Sequence, residues 1–489
     1  MTVVARKHEA GRKHARTLAS LLLDAGAADV QVVEPATAKP GAGVVEHFAA
    51  GFQVEHFATL TGVVEGSATA SRIVEGEASY GGSEKPGSGH QQAKRTLTDV
   101  EKAFRAHHEH GDLVALRAAL ACYAANIHMD GDPVWLGLVA GSSTGKTETA
   151  HALTRCPSTI MASTLSGEAA LLSGTAEKDR TAGATGGLLR QVGEHGMLVL
   201  KDFTTVLSMH PDKRGAILSA LREIYDGYWY RDVGTGGGAR LEWRGKLGML
   251  MCSTTAYDRA HAVIALMGDR FLLVRLDDDK REAGALAALR GAGSEREARV
   301  AIADAAAGLL ATKPDHPELV ADAEEEKDLA RLADFVTMAR SPVDRDYQGE
   351  IALVLDPEGP YRFVKELAGL WRACGLLGLD HTDAWTVALR VARDSLPRLR
   401  WKALKALASH GEQTTNTVAR AAKHPSKSTK RALEDLTAHG VVEHRSIALE
   451  GAATRSMWNL AEQYRPAANL LVKGRASFLV PPVEEERTA

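Results

Sequence analysis

Apolar residues come in two rhythms along the middle of this chain. Short, nearly unbroken runs stand at Val134–Val139, Met197–Leu200, Leu247–Cys252 and Phe271–Leu276. Runs of this length, closed by polar residues or glycine, suit strands buried on both faces of a parallel sheet. Between them lie segments with helical spacing, such as Leu113–Asn126 and Ile217–Tyr225. Strand and helix signals in alternation predict an α/β core. Trp229–Val233 and Arg240–Trp243 alternate on either side of Gly234–Gly238, which predicts a β-hairpin. Residues 283–390 read as mostly helical. After them come three short helical signals and two strand signals, over residues 391–463.

The ends are less regular. Residues 11–26 read as a short amphipathic helix, and a helix is expected from about Thr98, with Leu97 before its cap. Residues 35–95 carry no clear period and are rich in Gly, Ser, Thr and Glu. They contain two similar segments, Val45–Ala49 and Val54–Ala58, which read as a surface hairpin. Their histidines lack the further ligands that a metal site needs. Tyr80–Gly89 reads as a linker and the segment after Arg465 as a tail. The expected organisation is an N-terminal region at 1–95, an α/β core at 96–282, a helical lid at 283–390, a basic module at 391–463 and a tail at 464–489.

The first chemistry lies where the strand Val134–Val139 ends. Ala140-Gly141-Ser142-Ser143-Thr144-Gly145-Lys146-Thr147 follows it, and Glu148-Thr149-Ala150 begins a helix. Strand, glycine loop and helix in this order form a P-loop, which cradles phosphate with backbone N–H groups. Gly141, Ser142, Ser143, Thr144, Gly145, Lys146, Thr147 and Glu148 are the candidate nucleotide-binding residues, with ATP and Mg²⁺ as the expected ligands. Lys146 would reach the β- and γ-phosphates, and the Thr147 hydroxyl would ligate Mg²⁺.

The second strand run ends in Lys201-Asp202-Phe203. An acid at a strand end beside the loop strand holds Mg²⁺, and a second acid polarises the attacking water. Two alignments remain open: Asp202 as the metal-binding acid, or Lys201 in that place with Asp202 as the catalytic acid. A lysine there repels Mg²⁺ if its chain points inward. Glu223 is a further acid that the sequence does not place.

The chain has 489 residues, 45% of them hydrophobic, and a net charge of −3. That excludes a global polyanion-binding character and leaves only local basic surfaces. Its four cysteines are scattered, which speaks against a disulfide framework or a zinc site. No apolar run is long enough to cross a membrane, and no signal peptide is evident, so a soluble, cytoplasmic protein without a membrane partner is expected.

The ordered set of P-loop, acidic strand, glycine-flanked hairpin, polar strand end (Ser253-Thr254-Thr255) and Met267–Leu276 resembles the AAA+ ATPases. Within them it is similar to the branch that carries a hairpin before the sensor strand, which includes the minichromosome maintenance (MCM) helicases and bacterial enhancer-binding activators. The resemblance covers roughly residues 113–395, and Gly183–Leu189 fits it too. It implies that Ser253 or Thr254 is the sensor 1 residue and that Arg270 is an arginine finger reaching a neighbouring subunit. It also implies that Arg362 lies in a sensor 2 lid helix and that the protein works as a ring or nucleotide-dependent oligomer. A kinase that only borrows the P-loop fits the hairpin and Arg270 less well.

Residues 391–463 look like a winged helix-turn-helix domain, as MCM proteins also have. Its third helix opens with Ser426, Lys427, Ser428, Thr429, Lys430 and Arg431, and Arg445 lies at the wing. Hydroxyls and cations there suit phosphate and base contacts in a DNA groove. Lys427, Ser428, Thr429, Lys430, Arg431 and Arg445 are the candidate DNA contacts. The joint expectation is an ATP-binding, ATP-hydrolysing AAA+ protein acting on DNA as a helicase-like remodeller, or else an ATP-switched DNA-binding regulator.

Overall fold

The computed structural model describes residues 2–4, 15, 31–35, 58–59, 94–108, 111–174, 186–233, 239–266, 268–276, 281–448 and 454–475. The chain divides into two units, Met1–Ser88 and Gly89–Ala489. The segments Val45–Ala49, Val54–Phe57, Tyr80–Gly89, Gly183–Thr185 and Gly234–Gly238, most of the helix expected at 11–26, and residues 476–489 of the expected tail lie outside the described residues. The first part of that tail is instead the helix Arg465–Lys473, which buries Leu470 and Leu471 in the core. In the smaller unit, β1 (Thr2–Val4) pairs parallel with β2 (Gln31–Glu34), which pairs antiparallel with β3 (Ala58–Thr59).

The larger unit is built on a five-stranded parallel sheet. In chain order its strands are β4 (Trp135–Val139), β5 (Thr159–Ala162), β6 (His195–Leu200), β9 (Lys246–Ser253) and β10 (Leu272–Arg275). Between β6 and β9 the chain forms the antiparallel hairpin β7 (Tyr228–Val233) and β8 (Ala239–Arg244), as the alternation predicted. The sheet order is β10-β4-β9-β6-β5. The acidic strand β6 is therefore not the neighbour of β4, as the sequence reading expected; β9 lies between them. β9 is apolar on both faces, and that suits the centre of the sheet.

Close packing explains two glycines in this sheet. A Cβ on Gly137 would lie 2.4 Å from Met251 Cε and 2.8 Å from Leu273 Cδ2. A Cβ on Gly248 would lie 2.5 Å from Cγ of Asn126. Asn126, fully buried at the end of helix Leu113–Ile127, needs that space. Its amide accepts from Val134 N at 3.0 Å and donates to Val134 O and Cys122 O at 2.7 Å. It fixes the entry into β4 without leaving buried polar groups unpaired.

Helices cover both faces of the sheet. One face packs under helices Leu113–Ile127, Glu295–Leu310, Pro360–Leu376 and His381–Asp394. Pro211–Tyr225 and Ala256–Leu266 cover the other. The helix before the core begins at Leu97. Thr96, two residues earlier than expected, is the cap, and its hydroxyl and the Asp99 carboxylate satisfy each other's backbone N–H groups. Leu97 is buried inside the helix.

The region read as mostly helical also holds a small hairpin, β11 (Val343–Arg345) with β12 (Ile351–Val354). Its strands are too short to leave a period in the sequence. Helices Arg398–His410, Thr415–Ala422 and Ser426–Ala438 follow. Then come β13 (Gln413–Thr414), which precedes the second of these helices, β14 (Val442–Ala448) and β15 (Thr454–Leu460), in the antiparallel order β13-β15-β14. One apolar cluster runs from Leu138 and Cys252 through Trp371 and Trp385 to Leu433 and Trp458. Core, lid and basic segment therefore share a single interior. No helix among the described residues is long and apolar enough to cross a membrane.

Candidate functional site

Parallel strands bring their carboxyl ends to one edge, and open α/β sheets bind ligands there. Val139 pairs with Ser253, and Met251 pairs with Leu200. The glycine loop after β4, the polar end of β9 and Lys201-Asp202 after β6 therefore stand side by side. Neighbouring strands are about 4.8 Å apart, so β4 and β6 are separated by roughly 10 Å.

The loop is exposed from Gly141 to Ser143 and at Gly145 and Thr147. Gly145 has φ +84° and Ser143 φ 59°, left-handed conformations that turn the chain sharply into helix Lys146–His151. A Cβ on Gly145 would meet nothing within 4 Å, so the backbone angle, and not crowding, selects glycine. Lys146 curls over the loop and donates from Nζ to Ala140 O at 3.0 Å and to Gly141 O, with Thr144 Oγ1 at 3.5 Å. Burial lowers its pKa from the usual lysine value. A phosphate at this place would compete for the same ammonium.

Glu148 is held elsewhere: Arg299 forks onto its carboxylate at 2.9 and 2.7 Å. Burial works against its charge, but Arg299 prevails and lowers its pKa.

Asp202 accepts from Thr204 N at 2.9 Å, from Thr205 N at 3.4 Å and from the Thr205 hydroxyl. Thr204, which the sequence reading did not single out, ties the two strand ends together. Its hydroxyl accepts from Thr254 N at 2.9 Å, donates to Thr254 Oγ1 at 3.3 Å and lies 3.4 Å from Ser253 Oγ. Ser253 is itself buried. Paired hydroxyls two residues after a strand-end acid were its only signal.

The Asp202 carboxylate thus accepts three hydrogen bonds, and Lys201 adjoins it in the chain.

Arg270 and Arg362 meet each other at the opposite edge. Arg270 precedes β10, whose Leu272 pairs with Leu136. It is thus level with the start of β4, roughly 20 Å along the strand from the loop at 3.3 Å per residue. Its Nη1 donates to Gly268 O at 3.1 Å, and its Nη2 lies 3.5 Å from Asp226. Its guanidinium sits 5.2 Å from the Tyr225 ring centre. Burial, and then the Arg362 cation, lower its pKa.

Arg362 Nη2 donates to Asp269 O at 3.0 Å and pairs with Glu358 at 2.7 Å. The Nε atoms of Arg270 and Arg362 are buried without partners. Arg362, Lys365, Tyr361, Tyr225 and Asp226 line a cleft of about 440 Å³ beside them. Arg270 and Arg362 therefore come together, but neither reaches this chain's own glycine loop.

On helix Ser426–Ala438, Lys427, Ser428, Lys430 and Arg431 are exposed. Thr429 is not: it is fully buried and donates to Pro425 O at 3.1 Å, because it lies on the same face as Ala432 and Leu433. Lys430 pairs with Glu434 at 3.3 Å, and Arg445 with Glu412. Arg431 leans on Gly349, where a Cβ would lie 2.1 Å from its Nη2. Arg345 anchors the same turn to Glu434 and Asp435. Lys427 and Ser428 are therefore the least encumbered of the predicted DNA contacts.

No family model matches this chain, and no curated protein matches it. Among solved structures it is similar to the A form apo structure of the NrS-1 C-terminal region. That match has a TM-score of 0.26 and 11% identity, over 76% of this chain and 78% of that one. A second structure of the same region matches with a TM-score of 0.23 and 11% identity.

Proposed function

We propose that this protein binds ATP at the Gly141–Thr147 loop and works on DNA as an AAA+-like oligomer. The observation that carries the reading is the division of charges between the two sheet edges. The loop, Asp202 and Ser253 occupy one edge, and Arg270 and Arg362 the other. A nucleotide at the loop would meet Arg270 and Arg362 only when a second copy presented its opposite edge. In this reading Lys146 binds the phosphates, Ser253 and Thr204 position Asp202, and Lys427, Ser428 and Lys430 contact the DNA backbone.

The ATP-switched regulator is favoured over the helicase-like remodeller by one observation. In the alignment that makes Asp202 the water-polarising acid, Lys201 takes the place of the metal-binding acid. Molecular mass with and without ATP, together with unwinding of forked DNA, tests the reading. ATP-dependent assembly lost in Lys146→Ala supports it. A chain that remains monomeric and binds no nucleotide sinks it, and strand separation above the Lys146→Ala background decides for the remodeller.

A further inference from the structure

We infer that Lys201 is a phosphate-binding residue of the loop site, so that the chain takes a nucleoside triphosphate without needing Mg²⁺. This rests on the nucleotide reading of the loop. Side chains alternate along β6. Leu198 and Leu200 enter the cluster on the hairpin side of the sheet, while Met197 and Val199 belong to the cluster that also holds Ala150, Leu153 and Cys252. Lys201 continues the second row and so lies on the face that carries helix Lys146–His151. The half-buried His151 ring on that helix has its pKa lowered mainly by burial, and it also feels Glu148, Arg299 and the Lys201 cation.

Lys201 N donates to Ala162 O at 2.9 Å, which fixes its backbone at the strand end. The residue is half-exposed, and its ammonium makes no ion pair with a carboxylate among the described residues. Asp202, beside it, is occupied by Thr204 and Thr205. Lys146 holds its ammonium on Ala140 O, just past the end of β4, and Lys201 follows β6, so the two flank the end of β9. Ammonium groups on both sides of β9 can each take an outer oxygen of one triphosphate. The Lys201 charge then takes the place of part of the charge that a metal ion supplies at a site rich in carboxylates.

The test is equilibrium binding of a fluorescent ATP analogue to the full chain, with excess Mg²⁺ and with EDTA. Wild type should lose less than about tenfold in affinity when Mg²⁺ is removed. In EDTA, Lys201→Ala should weaken binding by about tenfold or more, and Lys201→Arg should restore it. Lys201→Asp should make binding depend on Mg²⁺.

A wild-type loss of tenfold or more in EDTA overturns the inference, and so does metal-free binding by Lys201→Ala equal to that of wild type. Either result leaves the nucleotide reading intact. Absence of binding by wild type in both conditions removes both. Unchanged circular dichroism of the variants, with retained binding by Lys201→Arg, separates the ligand effect from misfolding.

Discussion

Arg275, at the end of β10, gives the sharpest test of how the sheet is tied to the lid. Its guanidinium is almost fully buried and donates to both oxygens of Asp258 at 2.8 and 2.7 Å. It also donates to Asp394 O at 2.7 Å and Leu396 O at 3.2 Å. Arg275→Met keeps most of the volume but leaves a half-buried carboxylate and two carbonyls without this donor. Losing one partner of a buried pair costs about 3–5 kcal/mol. Asp258→Leu should cost a similar amount, because it leaves the buried cation without its counter-charge.

The double variant replaces both charges with apolar groups. It should therefore be more stable than the sum of the single costs predicts, by at least about 2 kcal/mol. Urea unfolding of the full chain, followed by tryptophan fluorescence, measures all three. Strict additivity, or an Arg275→Met cost below about 1 kcal/mol, would refute the argument that this pair is an isolated buried charge couple.

Other expectations can be checked in parallel. Burial raises the Glu366 carboxyl to about 8, against lowering by Tyr225 and Arg362. The folded chain then holds a proton that the unfolded chain releases, so this contribution to stability falls as pH rises toward 8. Glu366→Gln lacks the titration and should gain on wild type between about pH 5 and about pH 8 in urea midpoints. Gly137→Ala should destabilise by about 1–3 kcal/mol in the same assay, since its Cβ meets Met251 and Leu273. Replacing Lys427 and Lys430 with Ala should reduce the slope of log affinity against log salt by about 1.8 for duplex DNA, whereas Thr429→Val should leave it unchanged.

Four of the five strands of the larger sheet, the hairpin and the glycine loop were legible in the sequence because each carries a local signature: an apolar run, an alternation or a left-handed turn; the half-buried edge strand Thr159–Ala162 carries none and was missed. The sheet order was not, since nothing local in β6 or β9 says which of them lies beside β4. For the same reason the sequence could not show that Arg270 and Arg362 share an edge. Their meeting depends on helix Pro360–Leu376 crossing to the start of β4, where Lys365 pairs with Asp132 at 3.2 Å. Thr429 was misassigned because its neighbours Lys427, Ser428 and Lys430 are polar. Only the helical phase relative to Ala432 and Leu433 turns it inward.

The shared interior has a mechanical consequence. A chain whose sheet, lid and basic segment were separate beads could bind a ligand at one end and leave the other indifferent. Here Trp371, Trp385, Leu433 and Trp458 belong to the same packed mass as Leu138 and Cys252, right behind the glycine loop. The sheet and helix Ser426–Ala438 therefore cannot part without exposing apolar side chains of both. Cutting the chain near residue 390 would leave the basic segment with bare tryptophan and leucine faces.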